Sequence, residues 1–275
     1  MEWYEWILLP LVGAAGGFLA GLLGVGGGLI FIPLLTMLFE RLGLPGAEVV
    51  KFTLANSIFL VVCSGLAGIY RLRKTGDWDW RRSLSTGIPG AASSVFFTWL
   101  IQQGDWYNKE RFQIVFLGFL LISVGNMLFG KQIKDAGIEE KRGSVKESLV
   151  GLLAGMVVAF SGLGGGVVMV PLFRMFLHMP MQRATALSLS IIPMLGLPSV
   201  AKYILGSGIP SLPVAHSGYF VWPYAIPMAA GVLIFASVGM KTARKLPETT
   251  VRIIFASLSG IFILKIIYDI VQKTL

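Results

Sequence analysis

The apolar positions of this chain fall into long blocks cut by short charged links. No Asp, Glu, Lys or Arg occurs from Trp6 to Phe39, a run of 34 residues. As one straight helix that run would be about 51 Å long at 1.5 Å per residue, against a hydrocarbon core of about 30 Å. It is too long for one simple span, and glycine breaks it, in the stretch Gly21-Leu22-Leu23-Gly24-Val25-Gly26-Gly27-Gly28-Leu29-Ile30-Phe31-Ile32-Pro33. Further apolar segments follow at Phe52–Tyr70, Ser83–Gln103, Phe112–Gly130, Leu149–Leu177, Ala184–Leu205, Gly218–Met240 and Ile253–Tyr268. The pattern predicts an all-α polytopic membrane protein.

Gly26-Gly27-Gly28 weakens a helix and frees the backbone for positive φ. Within a membrane, broken backbone is tolerated only where protein or a watery cavity surrounds it. The stretch is therefore a candidate pore or binding site, and it occurs twice. Ser161-Gly162-Leu163-Gly164-Gly165-Gly166-Val167-Val168-Met169-Val170-Pro171 repeats it 138 residues on, with Pro33 falling on Pro171 and Gly24 on Gly162. Upstream, Gly13 and Gly17 fall on Gly151 and Gly155. The chain divides into a first membrane repeat at 1–130, a charged, solvated linker at 131–148 and a second repeat at 149–275. Paired Gly-interrupted segments in two halves point to a transporter's substrate site.

Two arrangements fit the apolar pattern. In one, each glycine segment is a re-entrant hairpin followed by three transmembrane helices, so the two repeats are inverted. In the other, eight helices cross. The hairpin arrangement puts 16 of the 23 Lys and Arg on one side, and the crossing arrangement 13. The positive-inside bias prefers the hairpins. The links 131–148 and 241–252 then face the cytoplasm and Gly206–Ser217 lies opposite. The tryptophans of Asp77-Trp78-Asp79-Trp80 suit the interface belt.

Composition narrows the function. Hydrophobic residues make up 55% and charged residues 13%, so the net charge of +9 belongs to orienting loops rather than to a nucleic-acid groove. Cys63 is alone, which excludes an internal disulfide, and no metal or cofactor set is visible. The start of the chain lacks a basic n-region, so its first apolar segment reads as retained.

Each triple glycine precedes a helix start, at Leu29 and at Val167. Unpaired N–H groups and the positive end of the helix dipole favour an anion there. The competing reading is close helix packing, which Gly13-xxx-Gly17 and Gly151-xxx-Gly155 fit well. A second repeated feature aligns Ala55-Asn56-Ser57 with Ala186-Leu187-Ser188, and Gly65 with Gly196. Asn56, Ser57, Thr185 and Ser188, with Thr53 and Ser190 nearby, are neutral donors near the starts of spans. Ser and Thr can also simply bond back to their own helix. The candidate substrate-binding set is Gly26, Gly27, Gly28, Asn56, Ser57, Gly164, Gly165, Gly166, Thr185 and Ser188. Arg174, Lys202 and Lys265 interrupt apolar runs near their ends, where snorkelling is expected. No carboxylate falls mid-span, so no proton relay is visible. Ser161 with His178 or His216 lacks a supporting catalytic motif, and no enzyme activity is expected.

These features resemble the sulfite exporter TauE/SafE family of membrane permeases. The resemblance rests on the paired segments ending in Pro33-Leu34 and Pro171-Leu172, the Ser-bearing segment after each, and two halves of this size across nearly the whole chain. It implies transport of sulfite or an organosulfonate across a cell inner membrane, with no cofactor. The second half reads Ala186-Leu187-Ser188 where the family pattern implies a Thr-Ser pair. The expectation is an anion permease working by alternating access, alone or as a homo-oligomer. A non-transporting membrane scaffold is the alternative.

Overall fold

The computed structural model describes residues 5–24, 26–76, 78–129, 144–206 and 214–274. These form ten α-helices: α1 Glu5–Leu23, α2 Gly28–Arg41, α3 Gly46–Thr75, α4 Trp80–Gln102, α5 Lys109–Phe129, α6 Ser144–Ser161, α7 Gly166–Leu177, α8 Met181–Ile204, α9 Trp222–Ala243 and α10 Glu248–Thr274. The expectation of an all-α protein needs one addition. His216–Ser217 and Phe220–Val221 pair as a short antiparallel ladder, β1 and β2, before α9. Helix α6 also begins at Ser144, inside the segment expected as linker. Residues 131–143 of that linker, and 207–213 of the link after α8, lie outside the described residues.

Among the described residues, α1, α3, α4, α8, α9 and α10 are long and apolar enough to cross a membrane. Helices α2 and α7 have 14 and 12 residues, about 21 and 18 Å, too short to span alone. Sequence chemistry sets several ends. Asp79 caps α4 by accepting the Arg82 N–H at 3.1 Å, and Gly76 ends α3 in the left-handed conformation. Pro45 and Pro180 precede α3 and α8 in extended conformations.

The two halves interlock, and their contacts match in pairs. Helix α1 lies along α9 as α6 lies along α4, and α3 meets α9 as α8 meets α4. The counterparts α3 and α8 pack on each other. Gly68 meets Leu189, Gly65 meets Pro193 and Gly196 meets Val62, so these two helices run antiparallel. They carry the core: Phe52, Leu54, Ile58, Leu189, Ile191 and Leu195 are fully buried.

Glycine sets the closest approaches. A Cβ at Gly13 would collide with the Met228 carbonyl, one at Gly21 with the Ala236 carbonyl, and one at Gly17 would come within 2.7 Å of the Val232 Cα. Gly151 and Gly155 meet the carbonyls of Thr86 and Gly90 in the same way. The small-xxx-small pairs are therefore helix-packing residues, as their spacing implies. Gly13→Val should lower stability by about 1–3 kcal/mol or more, because the obstacle is backbone. Gly118, on α5, has nothing within 4 Å of a Cβ, and Gly118→Ala should stabilise by about 0.5–1 kcal/mol. Thermal unfolding of the two detergent-extracted variants should move in opposite directions.

Candidate anion site

Both glycine breaks adopt the backbone that only glycine takes easily. Gly24, Gly26 and Gly27 have φ of 71°, 83° and 81°, and Gly162, Gly164 and Gly165 have 68°, 84° and 71°. The repeat seen in sequence is thus a repeat of backbone conformation. Gly27 and Gly165 immediately precede α2 and α7, and no side chain caps either helix. The first N–H groups to bond back are those of Ile30 and Phe31 to the Gly27 carbonyl, and of Val168 and Met169 to the Gly165 carbonyl. Among the described residues, the N–H groups of Gly28 and Gly166 meet no acceptor. These two helix starts are buried and carry the partial positive charge of an uncapped N-terminus.

After each break the chain returns along the helix it has just left. A Cβ at Gly27 would lie 2.5 Å from the Gly16 carbonyl oxygen, and Gly16 itself faces the Phe31 ring. In the second half Gly165 faces Val158 and the Ala154 carbonyl. The two breaks also touch each other. A Cβ at Gly28 would sit 2.7 Å from the Gly162 carbonyl oxygen and 2.8 Å from the Leu163 Cα. The triple glycines therefore satisfy two demands at once, close packing at the breaks and positive φ before a helix. The two sequence readings of these residues do not exclude one another.

Serines secure the breaks across the halves. Ser57, on α3 of the first half, donates to the Gly162 carbonyl at 3.0 Å. Ser188, its counterpart on α8, donates to the Gly24 carbonyl at 2.8 Å and shares its proton with the Thr185 carbonyl at 2.9 Å. Both hydroxyls are fully buried. Each half thus holds the other half's break. Ser64 adds a longer contact to the Gly26 carbonyl at 3.3 Å. Sequence comparison of the halves missed Ser64 because it falls on Leu195, so only its place beside the aligned Gly65 marked it.

Thr185 packs its methyl and Cα against Gly24. Asn56 does something else. Its amide donates to the Phe52 and Tyr219 carbonyls and accepts from the Val221 N–H. Both its donors are used on its own helix and on the β1–β2 hairpin, not at the breaks. Thr53 faces Thr36 at 3.4 Å, and Ser190 pairs with Ser83 of α4 at 2.8 Å. The Ser161 hydroxyl donates to Val157 and accepts from the Leu163 N–H, closing its own helix end. His216 packs on Phe52, and His178 ends α7 in the left-handed conformation.

Two charged clusters escaped the sequence reading. Lys51 is 4% exposed and pairs with Glu48 at 3.0 Å and Asp105 at 3.2 Å. Arg82 lies 3.5 Å from Glu147 and 3.6 Å from Asp79. Only the i,i+3 spacings of Glu48 to Lys51 and Asp79 to Arg82 were available beforehand. The clusters sit at opposite ends of α4, about 34 Å apart for 23 residues. Arg174 is also buried, which differs from the snorkelling expected of it. Lys265 reaches the Met37 sulfur at 3.4 Å from an exposed position.

The comparisons with known proteins bear on this arrangement. The chain is 27% identical over 265 residues to a probable membrane transporter protein of Methanocaldococcus jannaschii, covering 95% of this chain and 96% of that one. It is 28% identical over 252 residues to a probable membrane transporter protein of Haemophilus influenzae, covering 91% and 93%. A Bacillus subtilis protein of the same description is 24% identical over 283 residues, covering 96% and 98%. No solved structure matches the chain. The sulfite exporter TauE/SafE family pattern matches from residue 9 to residue 266, spanning both breaks and all ten helices in whole or part, and the chain belongs to that family.

Proposed function

We infer that this membrane transporter moves small oxyanions, sulfite or a short organosulfonate, across the inner membrane by alternating access. The observation that carries the reading is the buried contact between the two breaks, Gly28 against Gly162 and Leu163, each break leading into an uncapped helix start, at Gly28 and at Gly166. An uncapped helix start after each of two touching breaks suits a negative charge. Glycine at 26, 27, 28, 164, 165 and 166 lets an anion approach backbone N–H groups. In the resting arrangement Ser57 and Ser188 give their protons to the Gly162 and Gly24 carbonyls. When the breaks part, the same hydroxyls turn to the anion, with Thr185 beside Gly24. Asn56 is set apart from this ligand set by its bonds to the hairpin.

The same geometry supports inverted halves. The counterparts α3 and α8 run antiparallel, and each short helix folds back on the one before it. A re-entrant hairpin in each half accounts for both. The charge split places residues 71–82, 131–146 and 241–252 in the cytoplasm. An inside-negative potential then drives a monovalent anion outward with about 2.3 kcal/mol per 100 mV. Export on these terms requires no coupled ion.

Topology is tested by cysteine labelling in intact cells after Cys63→Ala. Gln103→Cys should react with an impermeant maleimide from outside, and Thr249→Cys only after permeabilisation. The reverse pattern removes the inverted-hairpin arrangement.

Function is tested in proteoliposomes with sulfite, short sulfonates, sulfate and monovalent cations. Saturable sulfite or sulfonate flux is expected, with none for cations. Ser57→Ala and Ser188→Ala should each cut that flux by about tenfold or more, since a hydrogen bond to a charged group contributes about 1.5–3 kcal/mol. Their thermal stability should fall by about 1–3 kcal/mol or more, because each leaves a buried glycine carbonyl without its donor. A cation flux without any response to oxyanions refutes the anion site, and no flux of any kind favours the scaffold reading.

A further inference from the structure

The halves differ most at one link. In the first half α3 ends at Thr75 and α4 begins at Trp80; in the second, α8 ends at Ile204 and α9 begins only at Trp222. The described part of the longer link returns on itself as β1–β2, with His216 opposite Val221 and Ser217 opposite Phe220. Gly218 turns it at φ 59°, close under the Tyr203 and Ile204 carbonyls, where a side chain would collide.

A link between spans is expected at the surface, yet Tyr219, Phe220 and Val221 are 4%, 1% and 0% exposed. They lie on α3. Phe220 stacks edge-on to Phe59 at 4.8 Å, Tyr219 to Phe52 at 5.4 Å, and His216 to Phe52 at 6.2 Å. The backbone of the hairpin is held chiefly by one side chain. Asn56 Nδ2 donates to the Tyr219 carbonyl at 3.1 Å, and the Val221 N–H donates to Asn56 Oδ1 at 3.0 Å. The amide plane does what a third strand would do, but at a single position. A second tether runs from the Tyr219 N–H to the Tyr203 carbonyl at the end of α8.

The next residue along α3 is Ser57, which holds the Gly162 carbonyl of the second break. One helical step therefore joins the hairpin to the candidate anion site. On the outer side Lys51 lies 5.8 Å from the Tyr219 ring and pairs with Asp105, whose side chain is 80% exposed. Burial first, and then the Glu48 and Asp105 carboxylates, push the Tyr219 phenol up, so it lies under this charged rim as a neutral hydroxyl.

We propose that His216–Val221 is the gate of one mouth of the transporter, closed in this structure, and that the Asn56 amide is its latch. Opening exchanges the two Asn56 bonds for water and withdraws Phe220 and Tyr219 from α3. Because the latch neighbours Ser57, release of the hairpin frees α3 to release Gly162. Among the described residues the first half has no such element, so the two mouths are gated by different means. The gate rests on the permease reading for its purpose but not for its test.

The test uses the full chain in detergent after Cys63→Ala, with Phe52→Cys as a reporter beneath the hairpin. Its rate of reaction with a charged maleimide is compared with and without Asn56→Ala. Loss of two ordinary hydrogen bonds should speed labelling by about tenfold or more, at unchanged monodispersity. An unchanged rate in well-folded protein overturns the proposal. Should Asn56→Ala fold poorly, the opposite manipulation decides. A disulfide between Phe59→Cys and Phe220→Cys pins the hairpin to α3 and should slow labelling of the reporter, reversibly with reductant. Equal rates in the oxidised and reduced forms overturn the gate as surely. In proteoliposomes the oxidised form should lose at least about nine-tenths of sulfite flux and regain it on reduction. If the Cys63→Ala parent carries no sulfite, the substrate reading fails while the labelling result still stands.

Discussion

A backbone carbonyl left without a donor inside a membrane costs several kcal/mol, and a chain that breaks its helices twice must answer that cost twice. Here the answer is reciprocal. The carbonyl of Gly24 accepts from Ser188 and that of Gly162 from Ser57, so each interruption is satisfied from the opposite half. Everything nearby follows from keeping these donors in place. Helices α3 and α8 must cross at the centre, and they do so in contact at Gly65, Gly68 and Gly196. Helices α1 and α6 must then lie outside them, against α9 and α4, where glycine permits backbone-to-backbone approach.

The same serines explain why the site resists a simple division between structure and function. A hydroxyl that only stabilised a helix would bond back within its own turn. Ser57 bonds across the molecule instead, to a carbonyl whose chain then runs into an uncapped helix start. Burial of both hydroxyls at 0% exposure keeps solvent from competing for these bonds.

Much of this was legible in the sequence. Glycines 138 residues apart have matching φ values because the physical demand, positive φ before a helix, admits almost no other residue. Gly13, Gly17, Gly151 and Gly155 were legible as packing residues for a similar reason. Ser57 and Ser188 were found because the repeat paired them. Asn56 was read as a ligand because it is a neutral donor near the start of a span, beside Ser57, but consecutive residues of a helix point about 100° apart, and this one bonds the hairpin. The hairpin itself was hidden, since residues 216–221 show no alternation and straddle the boundary between the link ending at Ser217 and the apolar segment beginning at Gly218. Lys51 was hidden too. Its spacing to Glu48 was visible, but no local pattern connects it to Asp105, its second partner.

The crossed serine bonds bear on how such a chain is assembled. One half made alone would keep its glycine carbonyl bare, since the serine on its own long helix reaches over to the other half. During synthesis the first break must therefore wait for α8, which is made after it, before its Gly24 carbonyl is satisfied. A chain that reads as two repeats is in this respect one folding unit.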